Sequence, residues 1–283
     1  MKVNLQDDNI QSKLPVELHE LIINELEGDE DTLKQCALTS KLYRHLAQER
    51  LFKDIDLEFL PHSNPAKTFL SILAKSPHIA NYVKRLTMFG DVSENVTAYY
   101  VKTSMPNHIA KVFSALTNLT HLRLGVFDPE NYLEMSLFPR LSPASMAVIH
   151  ARCRNISHLT LENIDIPLTI LTYSNSVRSL VINDVQFRHK SDDSGPEGVL
   201  FQVPFLHLKR IRLYGGNTPY PEWKSLFPSM MYSTTLGGPE ALSVDMDNSF
   251  SPVPATDFEA VRGIIKNSMK SLKILDITVS TSG

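Results

Sequence analysis

The sequence predicts an α/β protein in which a helical module precedes an α/β solenoid of parallel strands stacked with helices. Three observations predict this fold. Proline, glycine and acidic residues separate three short apolar helical segments in the first part of the chain. One apolar pattern then recurs along the remainder, and helical periodicity fills most of the intervals between its copies. With 283 residues, of which 42% are hydrophobic, the chain can also build a substantial core.

The helical module is predicted over residues 13–57, after a loose polar tail over residues 1–12. Pro15 stands near the start of the first helix, where its missing N–H costs nothing. Gly28 ends this helix, and an acidic run begins the second. Ser40 is the expected N-cap of the third helix. The module is therefore expected to contain three helices.

The first helix carries more apolar surface than packing on one core requires. At about 100° per residue, its apolar side chains spread over roughly 200°, against about 100° for a helix packed on one core. They are Leu18, Leu21, Ile22, Ile23 and Leu26. So short a module has too small a core to bury both faces. The surplus must therefore pack against either the rest of the chain or a partner protein.

The second region, residues 58–283, contains the repeated pattern φxxφxφ, where φ is apolar and x is any residue. Its middle apolar position is occupied by Leu86, Leu122, Leu159, Leu180, Ile211 and Leu275, with weaker copies at Ile55 and Leu242. The intervals run from 21 residues (positions 159 to 180) to 37 residues (positions 122 to 159). Most of them have the length of a solenoid repeat with one strand and one helix. A doubly wound sheet also alternates strands and helices, but no glycine-rich phosphate turn follows these strands.

The predicted strands should present a ladder of side chains on their outer face, because neighbouring residues of a strand point in opposite directions. Eight strands about 4.8 Å apart would make a ribbon roughly 34 Å wide, enough for a peptide or a protein face. Its candidate substrate-binding residues are Arg85, His121, Arg123, His158, Arg210, Arg212 and Tyr214. Arginine and tyrosine are frequent hot-spot residues, and the last three form a cluster. Exposed strand positions are also commonly charged for solubility alone.

The composition excludes several classes of protein. A net charge of −3 argues against a nucleic-acid binder. No apolar run approaches the ~18 residues that cross a membrane. Two cysteines cannot form a disulfide framework, so a reducing compartment, cytoplasmic or nuclear, is expected.

No catalytic motif stands out in the sequence. His121 and His158 occupy the same position in neighbouring repeats, but a zinc site would need two more ligands. We therefore expect no catalytic residue, no metal and no cofactor. An enzyme that uses the histidines and arginines of the ladder is an alternative, which would require a pocket with converging polar groups.

The run LPVELHELIINELEGDEDTLKQCALTSKLYRHLAQERLFKDIDL, from Leu14 to Leu57, resembles the F-box. The likeness is greatest to the F-box-like proteins of filamentous and mushroom-forming fungi. Through their periodicity, the repeats resemble the irregular leucine-rich repeats found downstream of F-boxes. The asparagine of the strict repeat is missing, because Phe127, Ile164 and Val185 stand in its place. An asparagine ladder therefore cannot join the turns.

The resemblance implies a substrate receptor of a cullin-RING (SCF-type) ubiquitin ligase. In that family the F-box docks on a Skp-type adaptor, which connects to the cullin and RING subunits, while the downstream domain captures a target protein. The positions that match the adaptor-facing surface are Leu14, Pro15, Leu18, Ile22, Leu26, Leu38, Leu42 and Tyr43. The family often has tryptophan where Tyr43 stands. The alternative is a leucine-rich-repeat interaction scaffold whose degenerate F-box does not engage the ligase.

Overall fold

The structure is a computed structural model, and the part of the chain that it describes excludes the predicted tail at residues 1–12. The described residues are 14–59, 63–90, 105–126, 143–167, 169–172, 176–188, 208–215, 239–247 and 255–280. The chain divides into two units, one ending at Asp54 and the other beginning at Ile55.

The described part of the first unit, from residue 14, contains three helices, as the sequence predicts: α1 (Val16–Glu25), α2 (Glu30–Thr39) and α3 (Lys41–Leu51). Helix α3 packs against both α1 and α2. Gly28, with φ of 100°, adopts a left-handed conformation in the turn between α1 and α2. This conformation explains why a glycine ends the first helical segment.

Side-chain caps begin the second and third helices. The side chain of Asp29 accepts a hydrogen bond of 3.0 Å from the backbone N–H of Thr32. The hydroxyl of Ser40 accepts one of 3.2 Å from the backbone N–H of Tyr43. Each bond satisfies an N–H that the helix itself leaves unpaired. The predicted N-cap of the third helix is confirmed.

A single open sheet of eight strands in chain order forms the second unit. Its strands are β1 (Asp54–Phe59), β2 (Arg85–Gly90), β3 (His121–Val126), β4 (His158–Pro167), β5 (Ser179–Arg188), β6 (Arg210–Gly215), β7 (Ala241–Asp247) and β8 (Ile274–Ser280). Every register described, from β2 to β8, is parallel. Strands in chain order without a reversal are typical of a solenoid-like α/β fold.

Helices alternate with most of these strands. They are α4 (Pro65–Lys75), α5 (Met105–Ala115), α6 (Pro143–Cys153), the single turn α7 (Thr169–Thr172) and α8 (Ala255–Ser268), with a 3₁₀ turn at Pro77–Asn81. Helices α4 to α7 pack side by side, each on the next. In the shortest sequence interval, between β4 and β5, the described residues form the single turn α7. The two strands flanking α7 are correspondingly long and pair along most of their length.

The predicted apolar pattern sets the register of the sheet. From β2 to β8, its middle residues lie in one row across the strands: Leu86, Leu122, Leu159, Leu180, Ile211, Leu242 and Leu275. All of them except Leu275 are buried. The prediction is less accurate in β1, where Leu57 and Phe59 are buried and Ile55 is only half-buried. There the buried pair lies two residues later than the pattern predicts.

A ladder of main-chain hydrogen bonds joins the starts of the strands. The backbone N–H groups of Thr120 and His121 both donate to the carbonyl of Lys84, at 2.9 and 3.0 Å. The same pair of hydrogen bonds to one carbonyl recurs in each following repeat, where the acceptors are the carbonyls of Thr120, Ser157, Arg178, Lys209 and Glu240. These bonds join consecutive repeats without asparagines. Ile164 and Val185 are buried and pair in register, whereas Phe127 lies outside the described residues.

Candidate docking surfaces

Helix α1 uses one face to build the core of the first unit. Ile23 packs in a buried cluster with Leu33, Leu46 and Ala47. His19, one turn before Ile23, is only 4% exposed. Its Nδ1 lies 2.8 Å from the hydroxyl of Tyr43, and the two rings meet edge to face at 5.1 Å. The burial of this histidine was not predicted, although its spacing of four residues from Ile23 places both residues on one helix face.

A second face of α1 is apolar and exposed. Leu18, Leu21 and Ile22 follow the i, i+3, i+4 spacing of one helix face, and Leu14 lies just before the helix. The exposed fractions are 48% for Leu14, 43% for Leu18, 56% for Leu21 and 46% for Ile22. We call these four residues the α1 apolar face. The surplus apolar surface predicted from the helical wheel is thus exposed to solvent.

The eight residues predicted to face an adaptor fall into two groups. Leu14, Pro15, Leu18, Ile22 and Leu38 are exposed. Leu26, Leu42 and Tyr43 are half-buried and pack against the core cluster, so they also support the fold. Leu21 was not among the predicted residues, although its spacing of three from Leu18 could have identified it.

The seven ladder residues predicted to bind a target lie at three levels of the sheet. The amino-terminal row, from β2 to β8, consists of Arg85, His121, His158, Ser179, Arg210, Ala241 and Ile274. Arg123 and Arg212 belong to the central row, two residues further along their strands. Tyr214 holds the register position between Asn183 and Asp245, and its side chain lies outside the described part of the structure. The register therefore groups four of the seven residues in one row.

His121 and His158 stack in the amino-terminal row. Their ring centroids lie 4.0 Å apart, with 7° between the ring planes. The hydroxyl of Ser157 lies 2.9 Å from Nδ1 of His158 and donates at 3.1 Å to the carbonyl of Thr120. A hydroxyl has one proton to donate, so Nδ1 of His158 must carry the proton of its own bond to Ser157. Thr120 stands in the same relation to His121 and the carbonyl of Lys84.

The arginines on β3 and β6 differ in whether they form ion pairs within the molecule. Arg123 is bound within the molecule, because its Nε and Nη2 lie 2.8 and 2.7 Å from a carboxylate oxygen of Glu162. Its guanidinium also lies over the ring of Phe89, 4.7 Å from the centroid. Arg210 and Arg212 are exposed, and no carboxylate pairs with either among the residues that the structure describes.

The arrangement of Phe89 beneath Arg123 requires a glycine on the next strand. A Cβ added at Gly125 would lie 2.5 Å from Cε1 of Phe89 and 3.2 Å from the carbonyl oxygen of Glu162. Both are closer than such atoms approach without displacement. Gly125 thus leaves the space that the Phe89 ring occupies.

Positive charge surrounds His158. Burial lowers the pKa of its imidazole, and the charges of Arg210 and Arg178 lower it further. Imidazole is therefore the favoured form of His158 near neutral pH. This part of the sheet is rich in hydrogen-bond donors that carry or can acquire positive charge.

Within the described ranges, no group of three or more histidine, cysteine, aspartate or glutamate side chains is placed to hold a metal ion. None of the described helices is both long enough and apolar enough to cross a membrane. No disulfide bond joins Cys36 to Cys153. Comparison of the sequence with models of known families and with curated proteins gave no match.

Proposed function

We propose that the chain is the substrate-recognition subunit of a cullin-RING (SCF-type) ubiquitin ligase. Residues 13–57, as an F-box, would bind a Skp-type adaptor and, through it, the cullin and RING subunits. The repeats, of the irregular leucine-rich kind, would bind the target protein. The observation that carries this proposal is the α1 apolar face, which is exposed although α1 already supplies a separate face to its own core.

An apolar helix face of this kind suits a protein partner. Burying a fully exposed leucine or isoleucine side chain contributes about 1.5–3 kcal/mol, so each half-exposed member of the α1 apolar face can contribute roughly half of that. Several such side chains at helical spacing can form the buried centre of an interface. Leu38, on α2, is 74% exposed and offers a further apolar contact.

The mechanism would be proximity rather than chemistry by the chain itself. One unit would hold the ligase and the other would hold the target. Because both units belong to one chain, the target lysines would stay at a high effective concentration near the ubiquitin-loaded enzyme. No side chain of the chain has to act as a nucleophile or a general base.

The test removes two members of the α1 apolar face. Leu18→Ala combined with Ile22→Ala should reduce co-purification with a purified Skp-type adaptor at least tenfold, because it deletes apolar contact area without touching the buried cluster. Ile72→Ala combined with Met269→Ala is the matched control, since both residues are exposed apolar residues of the second unit. The control should bind like the native chain, and thermal melting should show that both variants are folded.

Two results would contradict the proposal. Adaptor binding at the native level by the Leu18/Ile22 variant would show that the α1 apolar face is not the docking surface. Failure of the native chain to bind any Skp-type adaptor would favour the interaction scaffold with a degenerate F-box.

A further inference from the structure

We propose that strand β8 is a self-association surface, through which two copies of the chain pair edge to edge. The two β8 strands would run antiparallel about a twofold axis at Ile277 and join both sheets into one. The inference concerns the second unit alone and does not depend on adaptor docking.

Strand β8 lies at the edge of the described sheet and exposes apolar side chains there. Of the strands that the structure describes, only β7 pairs with it. Leu275 and Ile277 are 48% and 43% exposed, whereas Leu242 and Val244, their register partners on β7, are 0% exposed. The apolar rows that are buried on the inner strands therefore continue to an edge where they are open to solvent.

The two edge strands of the sheet differ in charge. Strand β8, Ile274–Ser280, contains one charged residue, Asp276, and neither lysine nor proline, which commonly protect edge strands. Strand β1 carries Asp54, Asp56 and Glu58, all exposed. A β8 strand added in parallel to β1 of another copy, with the apolar residues of both strands on one side, would place Asp276 beside Asp56 or Glu58. Like charges directly opposite destabilise a strand pair, so the charges favour pairing of β8 with β8 over open-ended stacking of β8 on β1.

The direction of the backbone groups determines how a second strand can add. The N–H of Ile274 donates to the carbonyl of Glu240, just before β7, at 3.1 Å. Backbone N–H and C=O groups alternate in direction along a strand, so those of Leu275, Ile277 and Val279 point to the outer edge. An antiparallel strand centred on Ile277 would use the groups of all three residues. Ile277 would face Ile277 of the second copy, and Leu275 would face Val279.

This register makes the strand complementary to itself, which is why a second copy is the occupant that fits. Apolar residues would face apolar residues, and Asp276 would face Thr278, whose hydroxyl can donate to a carboxylate. A register centred on Asp276 would instead bring two carboxylates directly opposite each other, in a non-hydrogen-bonded pair with Cα atoms about 4.5 Å apart. A register centred on Thr278 would leave the backbone groups of Leu275 without a partner in β8 of the second copy.

The interface would be small, so association should be weak. One strand pair and a few half-exposed apolar side chains bury less than the ~1,200–2,000 Å² of a standard interface, and we expect a dissociation constant on the order of 10 μM. Well below that concentration the chain should be monomeric, and unfolding measured there reports the single chain.

The first experiment is sedimentation velocity of the full chain between about 1 and 100 μM, a range that brackets the expected constant. The native chain should change from monomer to dimer across this range. Ile277→Lys should weaken dimerisation at least tenfold, because it places two ammonium groups opposite each other. Ile72→Lys is the matched control, since it makes the same change at an exposed isoleucine of α4, and should change the constant less than twofold. Thermal melting should show that both variants are folded.

The second experiment tests the register by cross-linking. Residues that face each other in a hydrogen-bonded pair have Cα atoms about 5.5 Å apart, which a disulfide can bridge. Under mild oxidation Ile277→Cys should therefore form a covalent dimer. Thr278→Cys should not, because diagonal neighbours lie about 7–8 Å apart. The native chain, with Cys36 and Cys153 alone, is the background control.

Several results would overturn the inference. The native chain could remain monomeric across the whole range, Ile277→Lys could dimerise like the native chain, or Thr278→Cys could cross-link in place of Ile277→Cys. Oligomers that grow beyond the dimer would indicate stacking of β8 on β1 and refute the twofold pairing.

The Leu18→Ala, Ile22→Ala variant separates this inference from the proposed function. It should dimerise like the native chain, since both residues belong to the first unit. Loss of dimerisation in that variant would assign self-association to the α1 apolar face and refute the role of β8. The adaptor pull-down tests the first unit alone, so a failure there would leave pairing through β8 standing.

Discussion

A hydroxyl residue directly before a strand histidine determines which ring nitrogen the histidine can offer. Ser157 donates its proton to the carbonyl of the preceding repeat, so its oxygen accepts from the imidazole that follows. The hydrogen bond from Ser157 to the carbonyl of Thr120 joins two repeats and therefore also determines the tautomer of His158. Because each hydroxyl reaches back by one repeat, the orientation of the ring is tied to the stacking of the solenoid itself.

At the same scale, the effect of the charge of Arg210 on the pKa of His158 should be measurable. Arg210→Gln should raise the pKa of His158, because it removes a positive charge that disfavours the imidazolium form. Burial and Arg178 would still hold the pKa below the ordinary value for histidine. NMR detection of the imidazole signals during a pH titration measures the shift.

Arg123→Gln serves as the control for this titration. The charges that lower the pKa of His158 are those of Arg210 and Arg178, so in this variant the pKa should stay at its native value. An unchanged or lowered pKa in Arg210→Gln would show that Arg210 does not act on His158 as the structure indicates.

At the scale of elements, one arginine connects the ends of two neighbouring helices. Arg152, near the end of α6, donates from Nε to the carbonyl of Phe113 at 3.0 Å and from Nη2 to that of Ser114 at 2.8 Å. Both carbonyls belong to the last turn of α5, whose final carbonyls have no partner within the helix. A positive charge also suits the carboxyl end of a helix dipole.

Removal of this connection should therefore destabilise the second unit. Arg152→Met keeps much of the apolar stem and loses both hydrogen bonds, so it should lower the free energy of unfolding by about 1–3 kcal/mol. Lys111→Met, an exposed position on α5, is the control and should change it by less than about 0.5 kcal/mol. Urea unfolding followed by circular dichroism measures both. Equal stability of the two variants would refute a stabilising role for Arg152.

The elements could be predicted from the sequence where a local pattern determines them. The spacing of Leu122 and Leu124 recurs in the other strands and predicts the register of the sheet, because a slip of one residue would turn every apolar side chain outward. The pairing of Arg123 with Glu162 could not be predicted, because it depends on side-chain directions across two strands distant in sequence. The spacing of His19 from Ile23 indicated that it is buried, but its contact with the hydroxyl of Tyr43 could not be predicted, because it depends on how α1 and α3 pack.

At the scale of the whole molecule, the two units differ in which of their apolar side chains are exposed to solvent. The first unit exposes the α1 apolar face while its core remains a small cluster around Ile23. The second buries its middle row of leucines and isoleucines almost completely from β2 to β7, and presents charged residues on its outer face. This division fits the proposed function, in which one partner would bind through apolar contacts and the other through charge.

The middle row of the sheet also allows a test of how stability is distributed along the second unit. Leu159 and Leu275 occupy the same register position, but Leu159 is 0% exposed and Leu275 is 48% exposed. Leu159→Ala should lower the free energy of unfolding by about 2–5 kcal/mol, because it leaves a cavity between strands and helices. Leu275→Ala should cost less than about 1 kcal/mol, since its side chain already contacts water.

Urea unfolding compares the two variants under identical conditions, and the adaptor pull-down should be unaffected in both because the first unit has its own core. Since the two substitutions delete the same atoms from the same row, any difference between them reports how completely the neighbouring repeats enclose that row. In a solenoid each repeat is stabilised chiefly by its immediate neighbours, so a position flanked on both sides should matter most. Equal losses from Leu159→Ala and Leu275→Ala would mean that β8 is as tightly enclosed as β4, contrary to the exposure of Leu275.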